Sequence, residues 1–270
     1  MIDDPLGGLE HLEAGDGPTL VLVPGSCSTG AAWRPVVAAL GGQFRSIATS
    51  LPGYGASAER RPVGDHDIAH LARAVETVVA RAGEPVHLVG HSFGGLTALV
   101  VALRRRVALA SLTILEAPAV GILPACGEDE AYAMFRAMTD AYRSAFAAGD
   151  AQAIAAMVDF YGGPGTWRSW PERVQAYAIA TTPVNLRDWD SAYGLALTPA
   201  LLSAVEIPVL VAFGAQSHAA VRRANTLLAE GIRASETSVI GGAAHFMIST
   251  HPGEVAALLS RHVSGCGPRS

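Results

Sequence analysis

The stretch "VHLVGHSFGGLTALVVALRRR", Val86 to Arg106, changes its periodicity halfway along. Val86 to Val89 is a short continuous apolar run, as expected of a strand covered on both faces. Leu96 to Leu103 reads as a helix, and the three arginines after it suit a solvated helix end favoured by the macrodipole. Between the two lies "GHSFG", the single G-x-S-x-G match in the chain. Five letters of this kind arise by chance, but the strand before and the helix after are the setting that a nucleophile elbow requires. In such a turn the serine takes a strained backbone conformation that lifts its hydroxyl above the sheet. Glycines are needed at 90 and 94, where side chains would collide with the neighbouring strand and helix. Ser92 is therefore the candidate nucleophile, the plainer alternative being an ordinary helix N-cap.

Working outward, the same rhythm recurs. "TLVLVPG" (Thr19 to Gly25) and Phe44 to Thr49 read as buried strands, the second followed by a turn of Pro52, Gly53 and Gly55. Asp67 to Arg81 has the spacing of an amphipathic helix, and "LASLTILEAP" (Leu109 to Pro118) is a further strand. From Ala119 to about Ser203 no convincing strand is found. "DEAYAMFRAMTDAYRSAFAAGD" is strongly helical there, "YGGPGTWRSWPE" is a loop, and a helix is expected near Val174 to Thr181. The alternation resumes with strand Ile207 to Phe213, helix Ala220 to Glu230, strand Glu236 to Ile240 and helix Pro252 to His262. Strands alternating with helices imply right-handed crossovers and a mostly parallel sheet with helices on both faces. The expected division is an α/β core of residues 1–118 and 204–270 interrupted by a helical cap of residues 119–203.

Composition bounds the setting. Of 270 residues, 50% are hydrophobic and 16% charged, which fits a well-packed globule rather than a disordered chain. A net charge of −5 gives no electrostatic reason to expect nucleic acid or an anionic membrane as partner. Cys27, Cys126 and Cys266 show no C-x-x-C spacing and suggest free thiols in a reducing compartment. "MIDDPLGGLEHLEAGDG" at the amino terminus has neither a basic nor an apolar region. No apolar stretch reaches the ~18 residues of a membrane span. A cytoplasmic protein acting on a small molecule is expected, without cofactor; the oligomeric state is not legible.

These motifs resemble those of the α/β-hydrolase fold over nearly the whole chain. "VLVPGSCST" is similar to that family's oxyanion strand and loop, "LPGYGAS" to its Pro-Gly-x-Gly turn, and "GGAAHF" to its histidine loop. The order of nucleophile, insert and late histidine also agrees. The resemblance implies a Ser-His-acid hydrolase with a lid over the strand ends. A serine hydroxyl needs a base within hydrogen-bond reach. Of nine histidines, His245 is the best candidate, because small residues at 241–244 leave its ring room to reach over the sheet; the alternative is a packed loop histidine. His91 is expected to pack and His251 to face solvent. His66 and His70 share an i, i+4 face but lack the H-E-x-x-H pattern, so no metal site is expected. The oxyanion donors implied are the amides of Phe93 and Ser26, with Pro24 standing where relatives usually have His. Cys27 is the alternative nucleophile, although nothing near it in sequence lowers its pKa.

The family's acid usually sits three residues after the glycine that ends the strand in "VLVAFGAQSHAA", and Ser217 stands there. No carboxylate occurs between Glu206 and Glu230. Glu116, closing the apolar strand "LTILE", is the candidate replacement, since some members of the family place their acid at that strand end. A solvated glutamate and a Ser-His dyad remain as alternatives. The insert's aromatic residues suggest an apolar pocket, with Trp167 and Trp189 as candidate substrate contacts. Ester, thioester or lactone hydrolysis through an acyl-serine is the expected chemistry. A carbon–carbon bond hydrolase using the same serine, or a non-hydrolytic member of the fold, is the alternative.

Overall fold

The computed structural model describes residues 2–4, 7–59, 61–83 and 85–266; Met1, Pro5 and Leu6 of the amino-terminal stretch and residues 267–270 at the end of the expected core lie outside them. Its strands are β1 (Ile2–Asp4), β2 (Gly7–Leu9), β3 (His11–Ala14), β4 (Thr19–Val23), β5 (Arg45–Thr49), β6 (Val86–His91), β7 (Leu109–Leu115), β8 (Val209–Gly214) and β9 (Ser235–Ile240). β1 and β2 form a small antiparallel pair, and the other seven make one sheet in the order β3-β5-β4-β6-β7-β8-β9. Only β3 runs antiparallel to its neighbour.

The helices are α1 (Arg34–Ala39), α2 (Ala69–Ala82), α3 (Phe93–Arg104), α4 (Asp129–Ala147), α5 (Ile154–Gly162), α6 (Thr166–Ser169), α7 (Glu172–Ala180), α8 (Thr182–Gly194), α9 (Pro199–Leu202), α10 (Ala219–Gly231), α11 (Met247–Thr250) and α12 (Pro252–Gly265). Side chains alternate across each strand, which explains why the central strands β4 and β8 are almost wholly apolar. Val21 and Val23 of β4 join the cluster containing α2, α3 and α10, whereas Leu20 and Leu22 join the one containing α1 and α12. With both faces covered, both sets of positions are mostly apolar, the buried Ser46, Thr49, Ser111 and Thr113 being among the polar members. α4 to α9 fill the chain between β7 and β8, and no strand occurs there among the described residues.

Two boundaries and one missed strand have local explanations, and the expected loop "YGGPGTWRSWPE" contains the short α6. α2 starts at Ala69 rather than Asp67, because the Asp65 and Asp67 carboxylates accept from the amides of Asp67 and Ala69, both about two residues on, turning the chain before it coils. His66 therefore precedes the helix and shares no helical face with His70. β7 ends at Leu115, since Glu116 has φ 50° and leaves the strand. β3 escapes a reading based on apolar runs because it is a half-exposed edge strand with polar residues on it.

The join between β6 and α3 is tightly packed. A Cβ on Gly94 would strike the backbone oxygens of Val23 and Pro24, neither of which can move without distorting β4. Gly94→Ala is expected to destabilise the protein by about 3 kcal/mol, the upper part of the usual overpacking range. Gly95→Ala, whose added carbon would lie 3.0 Å from the Gly90 oxygen and 3.3 Å from Ile114 Cγ2, should cost under ~1 kcal/mol because alanine's helix propensity offsets the crowding. Urea unfolding of the two variants checks the difference; equal losses would show that the close approach to β4 is not what limits this site.

Candidate active site

Five strand ends of the parallel sheet converge on one place. Ser92 follows β6 with φ 54° and ψ −127°, a conformation that L residues adopt only when the surroundings impose it. Its amide donates to the Leu115 carbonyl at 2.8 Å, tying the turn to the end of β7. Phe93 opens α3, so its amide has no acceptor within the helix. The Gly25-Ser26 loop after β4 lies directly over the turn: a Cβ on Gly25 would stand 2.8 Å from Ser92 Cβ.

His245 lies beyond β9 and bridges the other two groups. Its Nε2 is 2.9 Å from Ser92 Oγ, and its Nδ1 is 2.8 Å from Glu116 Oε2. A carboxylate cannot donate, so Nδ1 carries the proton and Nε2 is left to accept from the serine hydroxyl. Glu116 is 0% exposed. Its other oxygen accepts from the Gly214 amide at 2.6 Å and from the Ser217 hydroxyl. Burial works to raise the carboxyl, but the hydrogen bond and charge of His245, with the Gly214 and Ser217 donors, hold it below the ordinary glutamate value. The backbone is fixed as firmly: the Glu116 amide donates to Ala212, and Asn225 of α10 clamps Ala117 through both its amide and its carbonyl.

Around this chain the other sequence candidates take distinct places. His91 is buried, and its Nε2 donates to the His245 carbonyl at 2.8 Å; burial pushes it down to about 3, so it stays neutral. Cys27 has its thiol pushed up to about 12 by burial, which removes it as a competing nucleophile near neutral pH. His70 pairs with Asp65 at 2.6 Å, and His66 lies 3.6 Å from Asp190. Among the described residues no three His, Cys, Asp or Glu side chains come together as metal ligands.

A cavity of about 1090 Å³ opens over Ser92 and His245. Its apolar wall includes Ile154, Met157, Tyr161, Trp170 and Trp189, and the Tyr161 ring lies 4.2 Å from that of His245. Trp189 lines the cavity. Trp167 does not: its ring meets that of Trp170 at 49° with centroids 5.9 Å apart, and its Nε1 donates to Gln152. The turn of α6 aims Trp167 into the helical segment and leaves the wall to its neighbour. Sequence reasoning also passed over Asp188, a buried carboxylate of α8 on the cavity wall that meets Ser26, Tyr54 and Arg61.

The sequence profile of the Alpha/beta hydrolase family matches residues 20–258, and the chain belongs to that family. It is 33% identical over 101 residues to the Mycobacterium tuberculosis protein named "Probable oxidoreductase EphD", a stretch covering 36% of this chain and 17% of that one. It is 38% identical over 105 residues to the pimeloyl-[acyl-carrier protein] methyl ester esterase of Aeromonas hydrophila, covering 38% of this chain and 40% of the relative. The matched stretches span less than half of either relative. Among solved structures, a thermophilic esterase from Thermogutta terrifontis superposes with a TM-score of 0.76 at 22% identity, over 96% of this chain and 93% of the other. That likeness is one of fold. Among the described residues no helix is long and apolar enough to cross a membrane.

The lowered Glu116 carboxyl has a thermodynamic consequence. A group whose folded pKa lies below its unfolded value, near ~4.3 for glutamate, stabilises the fold above that pH and loses the contribution as pH falls through the folded value. The stability gap between wild type and Glu116→Gln should therefore be widest near neutral pH and shrink below about pH 4. Urea unfolding at pH 7 and pH 3 measures it; a gap independent of pH would mean that the carboxylate's charge does not contribute.

Proposed function

We propose that the protein is a serine hydrolase that cleaves an ester, thioester or lactone of a small to medium apolar substrate through an acyl-serine. The observation that carries this reading is the hydrogen-bonded chain Ser92–His245–Glu116, 2.9 and 2.8 Å long at its two links, on the floor of a largely apolar cavity. In this reading His245 Nε2 takes the Ser92 proton as Oγ attacks the acyl carbon. Glu116 holds the imidazole in the required tautomer and stabilises the imidazolium that forms. The amides of Phe93 and Ser26 receive the oxyanion, each such donor being worth ~10²–10³ in rate. His245 then returns the proton to the leaving oxygen, or to the leaving sulfur of a thioester, and water repeats the sequence to release the acid. Residues 119–203 act as a lid whose aromatic side chains contact the acyl group.

Ser92→Ala should abolish both fluorophosphonate labelling and p-nitrophenyl ester turnover while the circular dichroism spectrum is kept. Glu116→Gln, which preserves shape, should lower turnover by at least ~10²-fold, against ~10⁴ for the acid in well-studied triads. Labelling that persists in Ser92→Ala, or full turnover in folded Glu116→Gln, counts against the assignment.

The cavity wall makes a second expectation. Trp170→Ala and Trp189→Ala should move acyl preference toward longer p-nitrophenyl esters. Trp167→Ala should instead cost about 3 kcal/mol of stability as a buried aromatic truncation, with preference unchanged. If Trp167→Ala alone shifts the preference, the wall has been assigned to the wrong residues.

A further inference from the structure

The polar cluster on the cavity wall opposite His245 has no part in the proton transfers above. Asp188, on α8, is 2% exposed. One oxygen accepts from Ser26 Oγ at 2.6 Å and from the Tyr54 hydroxyl at 2.5 Å; the other faces Arg61 Nη1 at 2.9 Å. Arg61 is held in turn by Glu59 at 2.5 Å, and Arg187 of the same helix donates to the carbonyls of Arg61 and Pro62 at 3.0 and 2.8 Å. A carboxylate this buried is tolerable only while its donors are in place. Every donor comes from the core sheet's loops, none from α8's own neighbours in the helical segment.

Ser26 is the residue through which this cluster meets the reaction. Its loop is confined on one side, where Gly25 lies against Ser92, and strained on the other, where Cys27 has φ 56°. A left-handed residue persists only where its surroundings over-determine it, and the Ser26–Asp188 hydrogen bond supplies that from above. An oxyanion donor works only if its amide stands about 2.7–3.1 Å from the developing charge, so a loop free to relax at Ser26 is a weaker catalyst with an unchanged substrate pocket.

We propose that Asp188 is a positioning residue for the Ser26 amide, so that docking of α8 and assembly of the oxyanion site are one event. The role rests on the hydrolase reading above. It predicts that removing the tether from either end, without touching the amide, lowers kcat.

Ser26→Ala removes the hydroxyl and keeps the amide; Ser26→Thr keeps both; Asp188→Asn weakens the acceptor. On p-nitrophenyl butyrate with the full chain, Ser26→Ala should lose about tenfold in kcat, a fraction of the loss from deleting a donor outright. KM should stay within about twofold, and the circular dichroism spectrum should be kept although Tm falls as Asp188 loses one donor. Ser26→Thr should recover most of the loss, and the Ser26→Ala/Asp188→Asn pair should be no slower than Asp188→Asn alone, because both sever one link. If Asp188→Asn does not fold, the comparison of Ser26→Ala with Ser26→Thr decides. Wild-type kcat in Ser26→Ala, or losses that multiply in the double variant, overturns the positioning role while leaving the hydrolase reading intact. A wild-type protein that neither labels with fluorophosphonate nor turns over any ester overturns both.

Discussion

A carboxylate with no exposed surface has to find a donor for each lone pair it keeps, or give up its charge. Glu116 meets that demand by drawing on two other strand ends. Gly214 closes β8 and Ser217 lies in the turn after it, His245 comes from the loop after β9, and Glu116's own amide holds on to β8 at Ala212. The β8 turn and the histidine loop are joined besides, through Ala215 to Ile240 and Gln216 to Ala243. Once the carboxylate is fixed, His245 has one ring orientation left, and that orientation places Nε2 at Ser92. The arrangement of the cavity floor follows from the solvation of a single buried anion.

The position of that anion explains how the usual site of the acid can hold a serine without loss of geometry. β7 and β8 are adjacent and parallel, with Leu115 opposite Ala212. Residue 116 therefore lies beside the end of β8, within hydrogen-bond reach of the turn where relatives are expected to carry the acid. Moving the carboxylate across one strand spacing leaves it facing the same histidine. Ser217 then changes role from place-holder to donor, and its short side chain suits the narrow space between the turn and the buried carboxylate.

The fold was legible because its signals are local and redundant. The elbow is set by residues consecutive in sequence, and doubly covered strands are largely apolar on both faces, as Leu20 to Val23 are. Glu116 was also legible, for a related reason: a charge ending an apolar strand stands out. What the sequence concealed are relations across long separations. Asp188 and Ser26 are 162 residues apart, Asn225 and Ala117 108 apart. α8 misleads in a specific way, since Thr182, Asn185, Asp188 and Ser191 form a polar stripe at helical spacing that would ordinarily be read as the solvated face. In the structure that stripe is buried. Trp167 and Trp170 are a smaller case: three residues apart on a short helical turn, they look equivalent in sequence, and only packing decides which one meets the cavity.

The inward polar stripe of α8 alters what the helical segment can be. A lid held by apolar contacts alone can slide or tilt, because such contacts are non-directional. α8 is held by polar contacts to two core loops, at Ser26 after β4 and at Tyr54 and Arg61 between β5 and α2, and lifting it would strand a buried arginine and a buried carboxylate at once. The cavity's other helical walls are mixed: α5 gives Ile154, Met157, Val158 and Tyr161, α6 gives Thr166 and Ser169, and α7 gives Arg173, Val174 and Tyr177, with α7 also tied to the core where the Gly55 amide donates to the Tyr177 hydroxyl at 2.8 Å. On the hydrolase reading proposed above, the same segment sets the hydrogen-bonded α8 beside the loop proposed to bind the oxyanion and the largely apolar α5 beside the proposed acyl pocket. The division between them follows from which of its helices carries the buried charge.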